Sequence, residues 1–303
     1  MPRNDTIAAV PAPGTLPAGS AWRALARRLD AAGIDTPLTD ARLLLQAASG
    51  MTHEQLVRDP QTMLSPVAAE RLEALAARRL AREPVSRILG ERAFYGRDFA
   101  VTPATLDPRP DTETLIEVTM GIVRERGWLD RPLRIVDIGT GTGAILVTLL
   151  AELPRAVGLG TDLSAEALAV AARNAERHAV GERALWRQAR SLEGITETFD
   201  VLVSNPPYIA ASEIASLEPE VRCYDPRLAL DGGADGLEVY RQIASGLTRV
   251  IACGAVVLEV GHDQAEAVAG IVSEATARVG WRRPRVWPDL SGNTRCVAAE
   301  TLC

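Results

Sequence analysis

The apolar positions change their spacing once along the chain. Between residues 20 and 82 they recur at helical intervals, and each run carries start and stop signals. Ser20 precedes Trp22, Leu25 and Leu29, and Gly33 follows them. Thr39 precedes Leu43, Leu44 and Leu45, and Gly50 follows. Thr52 opens a short third run. Ser65-Pro66 opens a fourth, which passes through Leu72 and Leu75 to about Arg82 before Pro84 closes it. The spacing predicts a small all-α bundle over 20–84. Residues 1–19, rich in Pro, Ala and Gly, read as a mobile tail. Over 85–105, Phe94, Tyr95, Phe99 and Val101 alternate loosely with polar residues around Gly96, which predicts a hairpin within a linker.

Beyond residue 112 short apolar runs alternate with helical patterns. Helices are predicted over 112–126, 142–152, 164–178, 235–250 and 263–279. Strands are predicted over 133–138, 156–161, 183–188, 199–203 and 254–260. A final pair covers 285–286 and 294–300. This alternation predicts a mainly parallel sheet with helices on both faces over 106–303.

Composition narrows the classes. A chain of 303 residues with 47% apolar and 24% charged residues is an ordinary globular protein of about two domains. Its longest apolar runs, such as Ile145–Ala151, are far too short to span a bilayer. The net charge is −6, and every basic residue is Arg. Residues 1–84 carry 10 Arg against 9 acidic residues, and the remainder 23 against 30. An acidic chain is poorly suited to tight duplex binding. Cys223, Cys253, Cys296 and Cys303 have no CxxC spacing, and His53, His178 and His262 are scattered. The expectation is four reduced thiols, a cytoplasmic location and no metal site.

Two segments carry candidate chemistry. The strand ending at Ile138 runs into Gly139-Thr140-Gly141-Thr142-Gly143 and then a helix. Glycines there let a ligand approach the backbone, and ligands of open α/β sheets lie at the carboxyl ends of strands. The next strand ends at Asp162, where a carboxylate suits a ribose diol. A dinucleotide and S-adenosylmethionine both fit this loop. Asp137 reads as an acid that organises the loop.

The second segment, Ser204-Asn205-Pro206-Pro207-Tyr208, follows the strand 199–203. Two prolines remove two backbone donors and hold the preceding residues extended. Their carbonyls and the Asn205 side-chain oxygen form an acceptor array beside the Tyr208 ring. Such an array suits a planar NH2 group, whose nitrogen gains reactivity toward a sulfonium methyl through positioning. No strong general base is required, so His262, after Glu259-Val260-Gly261, reads as rim rather than catalyst. Cys223 reads as a packing residue.

Together these segments resemble the amino-methyltransferases that use S-adenosylmethionine. Three further stretches resemble the HemK/PrmC family of protein-(glutamine-N5) methyltransferases. They are Pro108-Arg109-Pro110-Asp111-Thr112-Glu113, Arg82-Glu83-Pro84 with Gly90 and Phe94-Tyr95-Gly96, and the run from Tyr224 through Asp231-Gly232-Gly233-Ala234-Asp235-Gly236 to Leu237. The resemblance spans about 20–303. It implies a Rossmann-like methyltransferase domain, with a mainly parallel seven-stranded sheet, preceded by a small all-α bundle that docks the protein substrate. It implies that Gly139–Gly143 wrap the methionine part of S-adenosylmethionine and Asp162 binds the ribose. It implies that Asn205 and Pro206 grip the substrate amide while Pro207 and Tyr208 flank it. The implied substrate is the glutamine in the Gly-Gly-Gln motif of peptide chain release factors.

The chain departs from the family at Ala189-Arg190-Ser191, where an acidic–aromatic pair is usual; Arg190 is read evenly as stacking on the adenine or as plain surface. Asp111 stands where the family has Glu. Arg109 is read evenly as a ligand contact or a structural ion pair. Other readings are N5-glutamine methylation of a ribosomal protein, amine methylation of a nucleic-acid base, a binding module without catalysis, and a nucleotide-dependent oxidoreductase. An intact amine-gripping loop speaks against the module. An acidic chain without a basic, aromatic recognition segment speaks against nucleic acid.

Overall fold

The computed structural model describes residues 16–303, which divide into two compact units at Leu89/Gly90. The tail expected over 1–19 lies, through residue 15, outside the described residues.

The first unit is helical: α1 (Ala18–Ala31), α2 (Pro37–Ser49), α3 (His53–Arg58), α4 (Pro66–Leu80) and α5 (Val85–Leu89). Leu25, Leu29, Leu44, Leu45, Leu56 and Leu72 form its core. Thr52 caps α3 in a reciprocal capping box with Gln55, and Ser65 accepts from Ala68 N–H at the start of α4. Ser20 does not cap α1, which begins two residues earlier. The Ala18 and Gly19 N–H groups instead donate to the Thr62 and Pro60 carbonyls, so neighbouring backbone takes the place of a capping side chain. A buried Arg79–Asp40 ion pair at 2.7 Å ties α4 to α2.

The second unit opens with the antiparallel hairpin β1 (Glu91–Phe94) and β2 (Arg97–Ala100), turning through Tyr95 and Gly96 at positive φ. Helix α6 (Glu113–Glu125) leads into the sheet. The sheet strands are β3 (Arg134–Ile138), β4 (Val157–Asp162), β5 (Ala184–Gln188), β6 (Val201–Ser204), β7 (Ala255–Glu259), β8 (Arg285–Pro288) and β9 (Thr294–Glu300). Their order is β5-β4-β3-β6-β7-β9-β8. The first five run parallel; β9 is antiparallel to both β7 and β8. Alternate strand residues feed two cores. Ile135, Val201, Val203 and Val257 pack with α6 and α7 (Ala144–Glu152). Val136, Leu202, Val256 and Leu258 pack with α10 (Glu238–Val250) and α11 (Ala265–Thr276). Helix α8 (Ala165–Arg177) joins β4 to β5, and the short α9 (Pro219–Tyr224) lies in the long connection between β6 and α10.

This order fixes where a ligand can bind. From β3 the chain moves outward to β4 and β5, then returns to β6 on the other side of β3. The crevice between the carboxyl ends of β3 and β6 is therefore the switch point of the sheet. The glycine loop and the Asn-Pro-Pro-Tyr segment are the continuations of those two strands.

The expectation of four free thiols is corrected at one pair. Cys253 and Cys303 form a disulfide, because β9 returns the chain end to the start of β7, where Thr301 N–H donates to the Gly254 carbonyl. Cys223 and Cys296 are free.

Candidate active site

The turn from β3 into α7 places Gly139, Gly141 and Gly143 at φ of 71°, 55° and 79°, values that glycine adopts without steric cost. Both sides brace it. The Thr140 hydroxyl donates to Asp137 Oδ2 at 2.6 Å, and Gly141 N–H donates to Asp162 Oδ2 at 2.9 Å. Asp162 Oδ1 accepts from Ser164 N–H at 2.9 Å, so this carboxylate spans the loop and the start of α8. Gly143 has a packing reason as well: a Cβ there would stand 3.0 Å from Ala171 Cβ on α8.

Asp137 is fully buried. Burial pushes its pKa up to about 7 against the pull of the Thr140 hydroxyl, and the nearby Asp162 raises it further. Its Oδ1 has no hydrogen-bond partner. The Leu146 backbone also pulls its pKa down, and Asp137 lines neither cavity, so it organises the loop from behind.

At the neighbouring strand end, the Ser204 hydroxyl donates to the Ile138 carbonyl at 2.6 Å and ties β6 to β3. Asn205 Nδ2 donates to Thr112 Oγ1 at 3.1 Å, which leaves Oδ1 as the open end of the amide. The Pro206 carbonyl accepts no backbone hydrogen bond among the described residues. Gln264 Nε2 fixes the Tyr208 carbonyl at 2.9 Å. The loop 231–237 lies directly against this turn. A Cβ at Gly236 would be 2.3 Å from the Tyr208 carbonyl oxygen, and one at Gly232 would be 2.8 Å from that of Pro207. Only glycine permits so close an approach.

Two cavities meet at this turn. The larger, about 710 Å³, is lined by Gly139, Thr140, Gly141, Thr142, Asp162, Arg190 and Pro207. The smaller, about 350 Å³, is lined by Tyr208, Glu259, Asp111 and Arg295. Asn205, Pro206 and Arg109 line both. A volume of this size suits a small-molecule ligand. Its carboxylates, its open acceptors and its exposed Arg190 match the diol, cationic and aromatic parts of S-adenosylmethionine. The residues present fit that cofactor.

Residues 20–90 match the family model described as PrmC N-terminal domain, and residues 127–218 match that of the Methyltransferase small domain. The chain is 47% identical to Release factor glutamine methyltransferase of Cereibacter sphaeroides over 93% of its length and 98% of that protein. Identity to the Rhodospirillum rubrum protein of the same description is 44% over 90% of this chain and 82% of that one. The chain belongs to the release factor glutamine methyltransferase family. Among solved structures, the hMettl16 catalytic domain has a TM-score of 0.53 at 16% identity, covering 78% of this chain and 82% of that one, and shares the fold.

Within this family framework, the sequence-predicted residues separate. Gly139, Thr140, Gly141, Thr142, Asp162, Arg190, Asn205, Pro206 and Pro207 lie on the wall of the larger cavity. Gly143 and Tyr208 do not: Gly143 packs on α8, and Tyr208 lines the smaller cavity. Arg109 pairs with the buried Asp225 at 2.6 Å while remaining at both cavity walls. His262 is exposed on the turn after β7.

Three residues were given no role of their own from the sequence: Thr112, Glu259 and Arg295. Glu259 is 1% exposed at the end of the otherwise apolar strand Ala255–Glu259. That setting was its only signal, a lone acid closing an apolar parallel strand on the ligand side of the sheet. Arg295 pairs with Asp111 at 2.8 Å and Asp289 at 3.3 Å and lines the smaller cavity.

Proposed function

We propose that this chain transfers a methyl group from S-adenosylmethionine to the side-chain nitrogen of the glutamine in the Gly-Gly-Gln motif of peptide chain release factors. One observation supports this above the others. Asn205 and Pro206 stand where two cavities meet, one bounded by the glycine loop and one by Tyr208. A donor in the first and a side-chain amide in the second would face each other across their acceptors.

Bound S-adenosylmethionine supplies an electrophilic methyl on a sulfonium. The protein's part is positioning. Asn205 Oδ1 and the Pro206 carbonyl each accept one N–H of the substrate amide, and this aims the nitrogen and favours its pyramidal form in the transition state. Tyr208 packs beside the amide. Burial pushes the Tyr208 pKa up, with Glu259 adding to the shift, so it stays a neutral phenol. As the N–C bond forms and the S–C bond breaks, S-adenosylhomocysteine would be the leaving group, and the proton that the methylated nitrogen gives up would pass to water. Asp162 would hold the ribose, and Asp137 would organise the glycine loop through Thr140.

Labelled S-adenosylmethionine, incubated with a purified release factor, should label the wild-type factor. It should not label a factor whose Gly-Gly-Gln glutamine is changed to Ala. Label on both would assign another residue, and label on neither would turn the search to ribosomal proteins and nucleic-acid bases.

The helical unit would dock the protein substrate; it exposes Leu38, Val57, Met63 and Val67. Deleting residues 1–89 should raise KM for the release factor while S-adenosylhomocysteine affinity stays within about threefold. Unchanged KM would remove the docking role. No helix among the described residues is long and apolar enough to cross a membrane. The exchange is proposed to take place in the cytoplasm.

A further inference from the structure

The two ends of a side-chain amide have nearly the same shape, so something must decide which end of Asn205 faces the cleft. An NH2 turned inward would repel the substrate amide rather than hold it. Three side chains form a directional chain behind Asn205. Its Nδ2 donates to Thr112 Oγ1 at 3.1 Å. Thr112, 4% exposed, accepts that bond on one of its two oxygen lone pairs and has its own hydrogen left to give. The Glu259 carboxyl shares the wall of the smaller cavity with Asn205, and hydrogen bonding from Thr112 and then from Asn205 pulls its pKa down. It is 1% exposed, and its Oε2 has no partner of good geometry. Its backbone carbonyl is held separately by the Tyr240 hydroxyl at 2.8 Å.

We propose that Glu259 is a positioning residue for methyl transfer, acting with Thr112 to hold the Asn205 NH2 away from the cleft so that Oδ1 faces the substrate amide. A carboxylate can only accept hydrogen bonds. While ionised, it fixes the Thr112 hydroxyl as a donor toward itself. Thr112 can then only accept from Asn205, and the amide has one orientation. A protonated Glu259 could donate to Thr112, which could then donate to Asn205 and reverse the amide.

That switch falls in an accessible range. Burial pushes the Glu259 pKa up to about 7. The Thr112 bond, the Arg295 charge and the Asn205 bond pull it down, and Asp111 pushes it up. The titratable and charged groups facing it are Asp111 before α6, Arg295 and Cys296 on β9, Tyr208 after β6 and Tyr240 on α10. Because the carboxyl must be ionised, activity at saturating substrates should fall as pH drops through about 7.

This inference rests on the proposed role of Asn205, and two measurements keep the failures apart. The first needs no substrate. In the 15N-labelled full chain, the Asn205 side-chain amide resonance, assigned by its loss in Asn205→Asp, should shift as pH passes through about 7. That titration should vanish in Glu259→Gln. A resonance that does not titrate, or one that titrates equally in Glu259→Gln, overturns the proposal whatever the substrate proves to be. The second is kinetic. Thr112→Val should lower kcat tenfold or more with S-adenosylhomocysteine affinity within threefold, and Thr112→Ser should restore it. Glu259→Gln should lose the acidic limb of the kcat profile and add no further loss in an Asn205→Ala background. Losses that multiply between Glu259→Gln and Asn205→Ala would show a general structural role and sink the proposal. Absence of methyl transfer by the wild type would instead overturn the substrate assignment.

Discussion

Asn205→Ala is expected to lower kcat for glutamine methylation by on the order of a hundredfold or more, with S-adenosylhomocysteine affinity kept within a few fold. The reason is chemical. An amide lone pair is delocalised into its carbonyl, so the nitrogen attacks only when held toward the methyl and helped toward pyramidal geometry. Asn205 Oδ1 and the Pro206 carbonyl are the two acceptors at the junction of the cavities. Removing one frees the amide to rotate and leaves an N–H unpaired in the transition state, at about 1–3 kcal/mol for the bond alone. Lost positioning adds to that. If the glycine loop and Asp162 hold the cofactor as proposed, its other contacts are kept. Single-turnover methyl transfer beside calorimetric cofactor binding measures the two effects separately. Unchanged turnover would take Asn205 out of the mechanism.

The sequence made legible those features that local chemistry dictates. Strand–helix alternation gives a parallel sheet because each helix returns the chain to the same end of the sheet, where the next strand begins. The glycine loop and the Pro-Pro turn are each written in consecutive residues, and strand order brings them together. Other features depended on long-range closure. Thr112 meets Asn205 across 93 residues of sequence, and neither carries a local signal of the other. Glu259 ends an apolar strand, and its own neighbours place it only near the cleft rim. Its burial follows from the short turn Pro110–Thr112 and from β9, where Cys296 pairs with Glu259. Gly232 and Gly236 had no reading from their own neighbourhood, because what they touch is the Pro207–Tyr208 backbone. The first helix start failed for a related reason: its cap is supplied by residues 60–62 rather than by an adjacent side chain.

Asp162→Ala should weaken cofactor binding about a hundredfold while kcat at saturating cofactor changes little. Asp162 is at the end of β4, next to β3 in the sheet, and lines the larger cavity. Its two oxygens accept from Gly141 and Ser164 N–H at 2.9 Å each, and each oxygen keeps a second lone pair. Those remaining sites are the ones proposed to accept from the two hydroxyls of a ribose. Hydrogen bonds to a charged partner contribute about 1.5–3 kcal/mol each. Water compensates part of that in the alanine variant, so a net loss of about 3 kcal/mol, roughly a hundredfold, is expected. Asp162→Asn keeps one acceptor but turns an NH2 toward one of the two backbone donors, and should lose an intermediate amount. Calorimetry with S-adenosylhomocysteine reads both variants. Affinity within threefold of wild type in Asp162→Ala would mean that the carboxylate braces the loop and does not hold the ribose. A fall in kcat as large as the fall in affinity would mean that bracing the glycine loop also sets the methyl in line with Asn205.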